Sequence, residues 1–226
     1  MGATLVCHGG LFRKPTRLRI AAQEAEDEAA AALPLLRLGS LADLRAAKRG
    51  GPDPMGGGVN QLAADLLWSD PGPAPGLCVN SLRGIGLVYG PDASAEFLRA
   101  NRLRLVIRSH EGPDARQKRP DMAPMLEGWT ADHVSEAGTL ATLFSAPDYP
   151  QFTAPEEERT GNRAAFAVLR APEFCEPEVT SFDAAPRPQA RPYYDLDVGG
   201  SDEDGPAPAG EGLQLSPEAV EGGQSS

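Results

Sequence analysis

Cysteine is scarce in this chain, and no two cysteines lie close together in the sequence. The 226 residues contain only Cys7, Cys78 and Cys175. An odd number of widely spaced cysteines, without a Cys-x-x-Cys pair, is not typical of a disulfide framework or of a thiolate zinc site. We therefore expect all three to be ordinary buried or half-buried thiols.

Long apolar runs are also missing. The longest, at residues 3–7 and 103–107, resemble strands and are far shorter than the roughly 20 residues that a helix needs to span a bilayer. The start of the chain lacks the charged-then-apolar pattern of a signal peptide. We predict no membrane association and a cytoplasmic location, a nuclear one, or both.

Basic residues are absent from the C-terminal segment. Residues 195–226 contain eight acids and no Lys, Arg or His, so they carry −8 of the formal net charge of −11. The rest is nearly balanced, with 24 acids and 21 bases, and nothing in it is typical of a nucleic-acid-binding surface. Rich in Gly, Pro and Ser, residues 195–226 have too little apolar surface to offset the entropy of ordering, which predicts a disordered acidic tail.

Two segments near the N-terminus have biased compositions. Residues 21–36 are rich in Ala and Glu, which predicts a helix that Pro34 ends or kinks. Residues 49–58 are rich in Gly and Pro, which predicts a flexible connector. Together with their flanks these segments form residues 13–63, which we interpret as an insertion, partly helical or disordered.

Residues 64–194 have the pattern of an α/β unit. Short apolar segments bounded by turn-forming residues predict strands at 87–89, 104–107, 140–144 and 165–169. Residues 93–101 fit a helix whose N-cap would be Asp92 or Ser94 and whose Phe97 and Leu98 would face inward.

Two histidines follow strand-like segments. His8 comes after residues 3–7, and His110 comes after residues 104–107, each with glycine nearby. A histidine at the end of a strand can turn an imidazole nitrogen toward a cavity, as a metal ligand requires. A lone histidine is more often a core or surface residue, so from these features alone both interpretations stay open.

Five short motifs, taken in order, resemble the motifs of a known protein family. They are VCHGGL at residues 6–11, DLLWSDP at 65–71, RGIG at 83–86, IRSHE at 107–111 and LFSAPDY at 143–149. In order and wording they resemble the later motifs of PPP-type serine/threonine protein phosphatases. Residues 108–116 and 147–152 are most similar to the plant-specific seventh class of that family.

The resemblance, which covers about residues 3–183, implies the fold and the metal ligands. The fold would be an α/β metallophosphoesterase-like two-sheet core flanked by helices, with only its C-terminal part present. His8 and His110 would be ligands to one of two adjacent divalent metal ions. Imidazole ligands favour Mn, Fe or Zn.

The resemblance also assigns the remaining site residues. Arg83 would bind the substrate phosphate with its planar, always-charged fork, and Tyr149 would form part of the site wall and donate to a phosphate oxygen. Asp70 would orient polar groups as a supporting catalytic residue, and Trp68 would cover the cleft. Each of three residues also has a simpler interpretation: Arg83 could be a surface turn residue, Trp68 could be a core residue, and Tyr149 could cap a loop. His133 has no ligand counterpart in the family, and we predict that it is structural or lies at the surface.

Three upstream motifs of the family do not occur in the sequence. They are Gly-Asp-x-His-Gly, Gly-Asp-x-Val-Asp-Arg-Gly and Gly-Asn-His-Glu, which supply the bridging Asp, an Asn ligand, a second Arg and an acid His. We therefore expect four segments: a strand and metal-ligand loop at 1–12, the insertion at 13–63, the remainder of a partial phosphatase domain at 64–194, and the tail at 195–226.

Two functional hypotheses follow. The first is a metal-dependent phosphatase of phosphoserine and phosphothreonine proteins that is truncated and inactive alone, or that assembles with a separate N-terminal half. The second is a non-catalytic pseudophosphatase or interaction module. The expected partners are a phosphoprotein substrate and a regulatory protein, and neither nucleic acid nor a membrane.

Overall fold

The computed structural model describes residues 4–14, 36–47, 50, 60–150 and 159–186. All of these except Pro186 lie in one compact unit that ends at Ala185. The helix predicted within 21–36, most of the predicted connector and the predicted acidic tail lie outside the described residues. Within the described part of the chain, no helix combines the length and apolar character that crossing a membrane requires.

The described residues form a mixed α/β fold, as the sequence predicts. The strands are β1 (Thr4–Val6), β2 (Asp70–Pro71), β3 (Leu77–Val79), β4 (Leu87–Tyr89), β5 (Leu105–Arg108), β6 (Trp129–Ser135), β7 (Gly138–Leu143), β8 (Ala164–Leu169) and β9 (Pro177–Phe182). The helices are α1 (Leu41–Ala46), α2 (Gln61–Trp68), α3 (Pro91–Asn101) and α4 (Pro113–Gln117).

The main sheet has four strands in the order β1-β5-β7-β6. Strands β1, β5 and β7 run parallel, and β6 pairs antiparallel with β7. All four residues of β5 are buried, as expected for a central parallel strand that is covered on both faces. The predicted strands at 104–107 and 140–144 are therefore confirmed within one residue or two.

Two smaller sheets complete the fold. One has three strands in the order β2-β4-β3, and the other is the antiparallel pair β8-β9. The predicted strands at 87–89 and 165–169 are confirmed as β4 and β8. Strands β2, β3, β6 and β9 were not predicted. Polar and charged residues interrupt the apolar patterns of β6 and β9, and a bulge between Ala131 and His133 breaks the alternation in β6.

Helix α3 begins earlier than the sequence predicts. Its first residue is Pro91, and its N-cap is Gly90, without a side-chain cap. Proline suits the first helical position because it lacks an N–H that would be unpaired there. The prediction of Asp92 or Ser94 as the N-cap is wrong, since the Asp92 carboxylate instead accepts from the Gly76 N–H at 2.8 Å. The predicted inward orientation of the helix is confirmed, because Phe97 and Leu98 are fully buried.

The hydrophobic core extends under the chain that follows β1. Leu11 and Phe12 are both 0% exposed, and the ring of Phe12 packs edge-to-face on Phe97 of α3. Burial of two large side chains contributes about 1.5–3 kcal/mol each. The loop from His8 to Gly10 is thereby held between a strand and a buried anchor.

The cysteine prediction is wrong at one position. Cys7 and Cys175 are half-buried, but Cys78 is exposed. Cys78 lies on β3, an edge strand of the three-stranded sheet that turns residues 78 and 79 to solvent. Burial raises the pKa of the Cys7 thiol to about 12, although the positive charge of Arg108 opposes the rise.

The first residues of the predicted insertion pair with residues further along the same segment. Arg13 forms an isolated antiparallel bridge with Leu38, and the Lys14 N–H donates to the Arg37 carbonyl at 2.7 Å. Helix α1 lies within the insertion and begins with a capping box between Ser40 and Asp43. The described part of the insertion is therefore ordered structure joined to the core.

Candidate phosphate and metal site

The pairing of β1 with β5 brings the two predicted histidine ligands together. Val6 lies opposite Ile107 in the parallel register, so His8 and His110 follow adjacent strand ends. The Ser109 N–H donates to the His8 carbonyl at 2.9 Å and extends the pairing into the loops. As a result, Nε2 of His8 lies 3.2 Å from Nδ1 of His110.

The backbone and a neighbouring indole orient His110. This residue has a φ of 71°, a left-handed conformation that is uncommon for a residue other than glycine. The Trp68 ring packs edge-to-face against its imidazole, with ring centroids 5.2 Å apart. Its Nε2 is buried and has no hydrogen-bond partner among the described residues.

The separation of the two ring nitrogens fits one metal ion. Ligand nitrogens about 2.0–2.1 Å from a shared ion, at an angle of roughly 90–110°, lie about 2.8–3.4 Å apart, and the observed separation is 3.2 Å. Within the described ranges, no group of three or more His, Cys, Asp or Glu side chains could hold a metal ion. The described residues therefore provide two candidate nitrogen ligands, fewer than two ions require.

Both histidines favour the neutral form that a metal ligand needs. Burial, followed by the positive charges of Arg83 and Arg108, lowers the pKa of His110 to about 4. Burial, followed by the positive charge of Arg108, also lowers the pKa of His8. A neutral imidazole has a lone pair available for coordination.

Asp70 and Arg83 form a two-pronged ion pair beside the histidines. Nε of Arg83 donates to Oδ2 of Asp70 at 2.5 Å, and Nη2 donates to Oδ1 at 3.3 Å. Asn80 donates to Oδ2 from its amide at 2.8 Å. Burial opposes ionisation of Asp70, but the hydrogen bonds and charges of Arg83, Arg108 and Asn80 more than offset it, so the pKa of Asp70 lies below its usual value.

Arg83 combines an anchored guanidinium with access to solvent. Its side chain is 25% exposed, whereas that of Asp70 is 4% exposed. The carboxylate of Asp70 also accepts from Arg108, so one negative charge is shared by two guanidinium groups. Positive charge therefore remains at the exposed end of the pair, as a phosphate-binding group requires.

Arg108 connects the Asp70–Arg83 pair with the histidine loops. It is fully buried, and its Nε donates to the carbonyl of Gly9, next to His8, at 2.5 Å. Its Nη2 donates to Asp70, and its Nη1 donates to Glu111, the residue after His110. The two parts of the candidate site thus meet at one side chain.

A buried ion network continues from Arg108 behind the site. Glu111 forms ion pairs with Arg108, Arg116 and Arg119 at 2.8–3.0 Å. Arg116 also pairs with Asp132 at 2.9 Å, which the bulge in β6 leaves unpaired in the sheet. Buried charges need such partners because an unpaired charge in a protein interior is very costly.

The other predicted site residues occupy different surroundings. Tyr149 packs its ring against Phe144 at a centroid distance of 5.2 Å, and its N–H donates to Asn162. Trp68 is 39% exposed, so it is a surface-accessible residue beside His110. Ring contacts join His8, His110 and Trp68, and an ion pair joins Asp70 and Arg83. The functional roles of these residues and of Tyr149 stay predictions.

His133 is structural, one of the two interpretations given by the sequence. It is buried, Nε2 lies 2.9 Å from the Gly72 carbonyl, and Nδ1 lies 2.7 Å from Oγ of Ser94. Because a carbonyl can only accept, Nε2 carries the proton and Nδ1 accepts from the Ser94 hydroxyl. Burial lowers the pKa of His133.

Arg108 and Glu111 lie within the motif at 107–111, but no role was predicted for them from the sequence. A usable signal was present, since Arg108 ends an apolar strand and Glu111 comes three residues later. A charged residue continuing a buried strand needs a charged partner nearby.

The chain was compared with family models, curated proteins and solved structures. No family model matches it. It is 46% identical over 207 residues to serine/threonine-protein phosphatase 7 of Arabidopsis thaliana, covering 87% of this chain and 48% of that protein. It is 38% identical over 152 residues to serine/threonine-protein phosphatase 5 of Solanum lycopersicum, covering 67% of this chain and 22% of that protein.

A solved structure supports the same relationship. A protein serine/threonine phosphatase from Saccharomyces cerevisiae matches with a TM-score of 0.50 and 26% identity, covering 82% of this chain and 46% of that one. This chain spans less than half the length of each of these three relatives.

Three findings define the class of protein to which this chain belongs. They are the shared sequence, the metallophosphoesterase-like partial fold and the order of the motifs. The chain belongs to the PPP family of serine/threonine protein phosphatases. Within that family its sequence is similar to the seventh class found in plants, as the motifs at 108–116 and 147–152 predict.

Proposed function

We propose that this chain contributes part of the active site of a metal-dependent phosphatase of phosphoserine and phosphothreonine proteins. The observation that carries the proposal is the 3.2 Å separation of the ring nitrogens of His8 and His110. Both rings favour the neutral form, and their separation suits a single Mn, Fe or Zn ion. Metal ions in such a site serve as Lewis acids in phosphoester hydrolysis.

Arg83 binds the phosphate of the substrate in this proposal. Its Nη1 and the outer hydrogen of Nη2 are not used by the pair with Asp70, and the side chain is partly exposed. A planar fork that is already oriented by a carboxylate loses little conformational freedom when it binds a phosphate. Asp70 orients Arg83, Trp68 covers the His110 side, and Tyr149 forms a wall.

The described residues alone fall short of a two-ion site. Dinuclear phosphatase sites hold two ions about 3.5–4 Å apart, and two imidazoles cannot coordinate both. We expect the other ligands to come from outside the described residues, on this chain or on a second one, and we expect this chain alone not to hydrolyse phosphopeptides. A regulatory partner and a cytoplasmic or nuclear location are part of the same proposal.

The test combines a metal measurement with an activity measurement. The purified 226-residue chain is incubated with Mn²⁺ and, separately, with Zn²⁺, its bound metal is measured, and a phosphoserine peptide is supplied as substrate. His110→Ala removes one proposed ligand. His133→Gln is the matched control, because it alters a buried histidine of the same sheet outside the candidate site.

The expected result is a bound ion that is lost in His110→Ala and kept in His133→Gln, without turnover. Equal metal binding by wild type and His110→Ala would contradict the proposed ligands. Turnover that depends on His110 would support the phosphatase assignment and overturn the expectation that the chain is inactive alone. Absence of metal and of turnover would favour a non-catalytic interaction module.

A further inference from the structure

Arg108 uses all of its hydrogen-bonding capacity inside the protein. A guanidinium has five N–H donors, and the structure gives Arg108 five acceptors. Nε donates to Gly9 O at 2.5 Å, Nη1 to Glu111 and Thr142 at 2.8 and 3.5 Å, and Nη2 to Ser69 O and Asp70 at 3.1 and 3.0 Å. The side chain is 0% exposed, so it cannot reach a substrate itself.

Four of the five acceptors belong to the segments that carry the candidate site, and the fifth, Thr142, lies on β7. Gly9 adjoins His8, and Glu111 adjoins His110. Ser69 lies between Trp68 and Asp70. One rigid, planar group therefore sets the spacing between three loops that are far apart in the sequence.

Asp70 transmits this constraint to Arg83. Its Oδ1 accepts from Arg108 and from Nη2 of Arg83, while its Oδ2 accepts from Nε of Arg83 and from Asn80. Each carboxylate oxygen therefore accepts two hydrogen bonds. The plane of the Arg83 fork consequently depends on a carboxylate whose own rotation Arg108 restricts.

We propose that Arg108 is a positioning residue of the candidate site, which orients Arg83 through Asp70 and holds the His8 loop through the Gly9 carbonyl. The proposal rests on the function proposed above for Arg83 and His8. Lysine at this position keeps the charge but has three donors around one point and cannot span these acceptors. Charge alone is therefore insufficient for the role.

Arg116 offers a matched control. Its side chain is also 0% exposed and also pairs with Glu111. Its other partners are Asp132, Thr142 and the Ala123 carbonyl, which lie in the rear part of the network. Arg116→Lys thus disturbs the same buried network without altering a direct contact to Asp70 or Gly9.

The experiment compares Arg108→Lys and Arg116→Lys in the full chain. Titration calorimetry measures the affinity for inorganic phosphate, NMR of arginine Nε–H groups reports the pairing of Arg83 with Asp70, and melting temperatures record stability. We expect Arg108→Lys to weaken phosphate binding about tenfold or more and to shift the Arg83 Nε–H signal and speed its hydrogen exchange. We expect Arg116→Lys to keep phosphate affinity within about twofold and the Arg83 signal unchanged, at a similar loss of melting temperature.

Equal effects of the two variants on phosphate affinity and on the Arg83 signal would overturn the positioning role. An unchanged Arg83 signal in Arg108→Lys would do the same. Failure of the proposed phosphate site is recognised separately, because then the wild type and Arg83→Met bind phosphate equally or not at all, while the Nε–H comparison still decides the role of Arg108.

A second variant covers the case in which Arg108→Lys does not fold. Asp70→Asn keeps the shape of the intermediate group and removes its charge. It is expected to shift the Nε–H signal of Arg83 and the Nη–H signals of Arg108, because these groups donate to Asp70, and to leave the Nε–H signal of Arg116 in place. A shift of the Arg83 signal alone would contradict transmission through Asp70.

Discussion

Nε2 of His8 and Nδ1 of His110 lie 3.2 Å apart although 102 positions separate the two residues in the sequence. The parallel pairing of β1 with β5 produces this proximity, because it places the two strand ends side by side. In open α/β sheets, binding residues commonly gather at the carboxyl ends of the strands.

Metal binding by the histidine pair should persist at a pH where ordinary histidines are protonated. The pKa of His8 is lowered and that of His110 is about 4, so protons compete with the metal only below the usual range near 6.5. We expect the affinity for Zn²⁺, measured by competition with a chelator, to change little between about pH 7 and pH 6. A loss of binding centred near pH 6.5 would contradict the lowered pKa values.

Gly9→Ala should displace the His8 loop. A Cβ at Gly9 would lie 2.4 Å from the backbone carbon of Leu67. No rotamer change relieves this clash, because the backbone of each residue fixes the position of its own atom. We expect a loss of about 1–3 kcal/mol in the free energy of unfolding, measured in urea, because overpacking costs that much. We also expect the imidazole NMR signals of His8 to shift.

Gly161→Ala is the control for this glycine. Its φ is 58°, but nothing lies within 4 Å of a Cβ there, so the cost is that of the backbone conformation alone, about 1 kcal/mol. Unchanged His8 signals are expected in this variant. If Gly9→Ala is no more destabilising than Gly161→Ala, the close approach of the His8 loop to α2 is incorrect.

Removing the Asp65 carboxylate should destabilise the junction between Arg13 and Asp65, where the two ends of the predicted insertion meet. Nε and Nη2 of Arg13 donate to Asp65 at 2.7 and 2.8 Å, and the Arg13 backbone N–H donates to it as well. The Asp65 side chain is 1% exposed, and breaking a buried ion pair from one side costs about 3–5 kcal/mol. Urea unfolding of Asp65→Ala should show a loss of this size.

A double variant separates the ion pair from simple packing. In Arg13→Met combined with Asp65→Leu, neither charge is left unpaired, so we expect a smaller loss than in Asp65→Ala. A larger loss in the double variant would mean that contacts other than the ion pair stabilise this junction.

His133 should make the fold sensitive to acid. Its pKa in the folded state is lowered by burial, so the unfolded chain binds the proton more readily than the native state does. The stabilisation is therefore complete above the unfolded pKa near 6.5 and is lost as the pH falls through the folded pKa. Melting temperatures between about pH 7 and pH 5 should fall more steeply for the wild type than for His133→Gln, and parallel curves would refute the assignment.

The sequence was most informative where a local pattern has one physical meaning. Strand β4 was predicted with its observed bounds, and Phe97 and Leu98 were predicted to face inward. The motif RSHE at 108–111 placed His110 at a strand end. The N-cap of α3 was predicted incorrectly. The Asp92 carboxylate accepts from the distant Gly76 N–H, and Gly90 is the N-cap. The exposure of Cys78 depended on which strand lies at a sheet edge, and no local pattern shows this.

By itself, the sequence determined the α/β class, the family likeness and the candidate residues His8, His110, Asp70 and Arg83, since short-range patterns and ordered motifs encode these directly. The tertiary structure alone decided that His8 meets His110, that Asp70 holds Arg83, and that Arg108 joins the two parts with all five of its donors. The reason is physical: these contacts connect strand ends and loops through strand pairing and buried charge compensation, which depend on the whole folded chain.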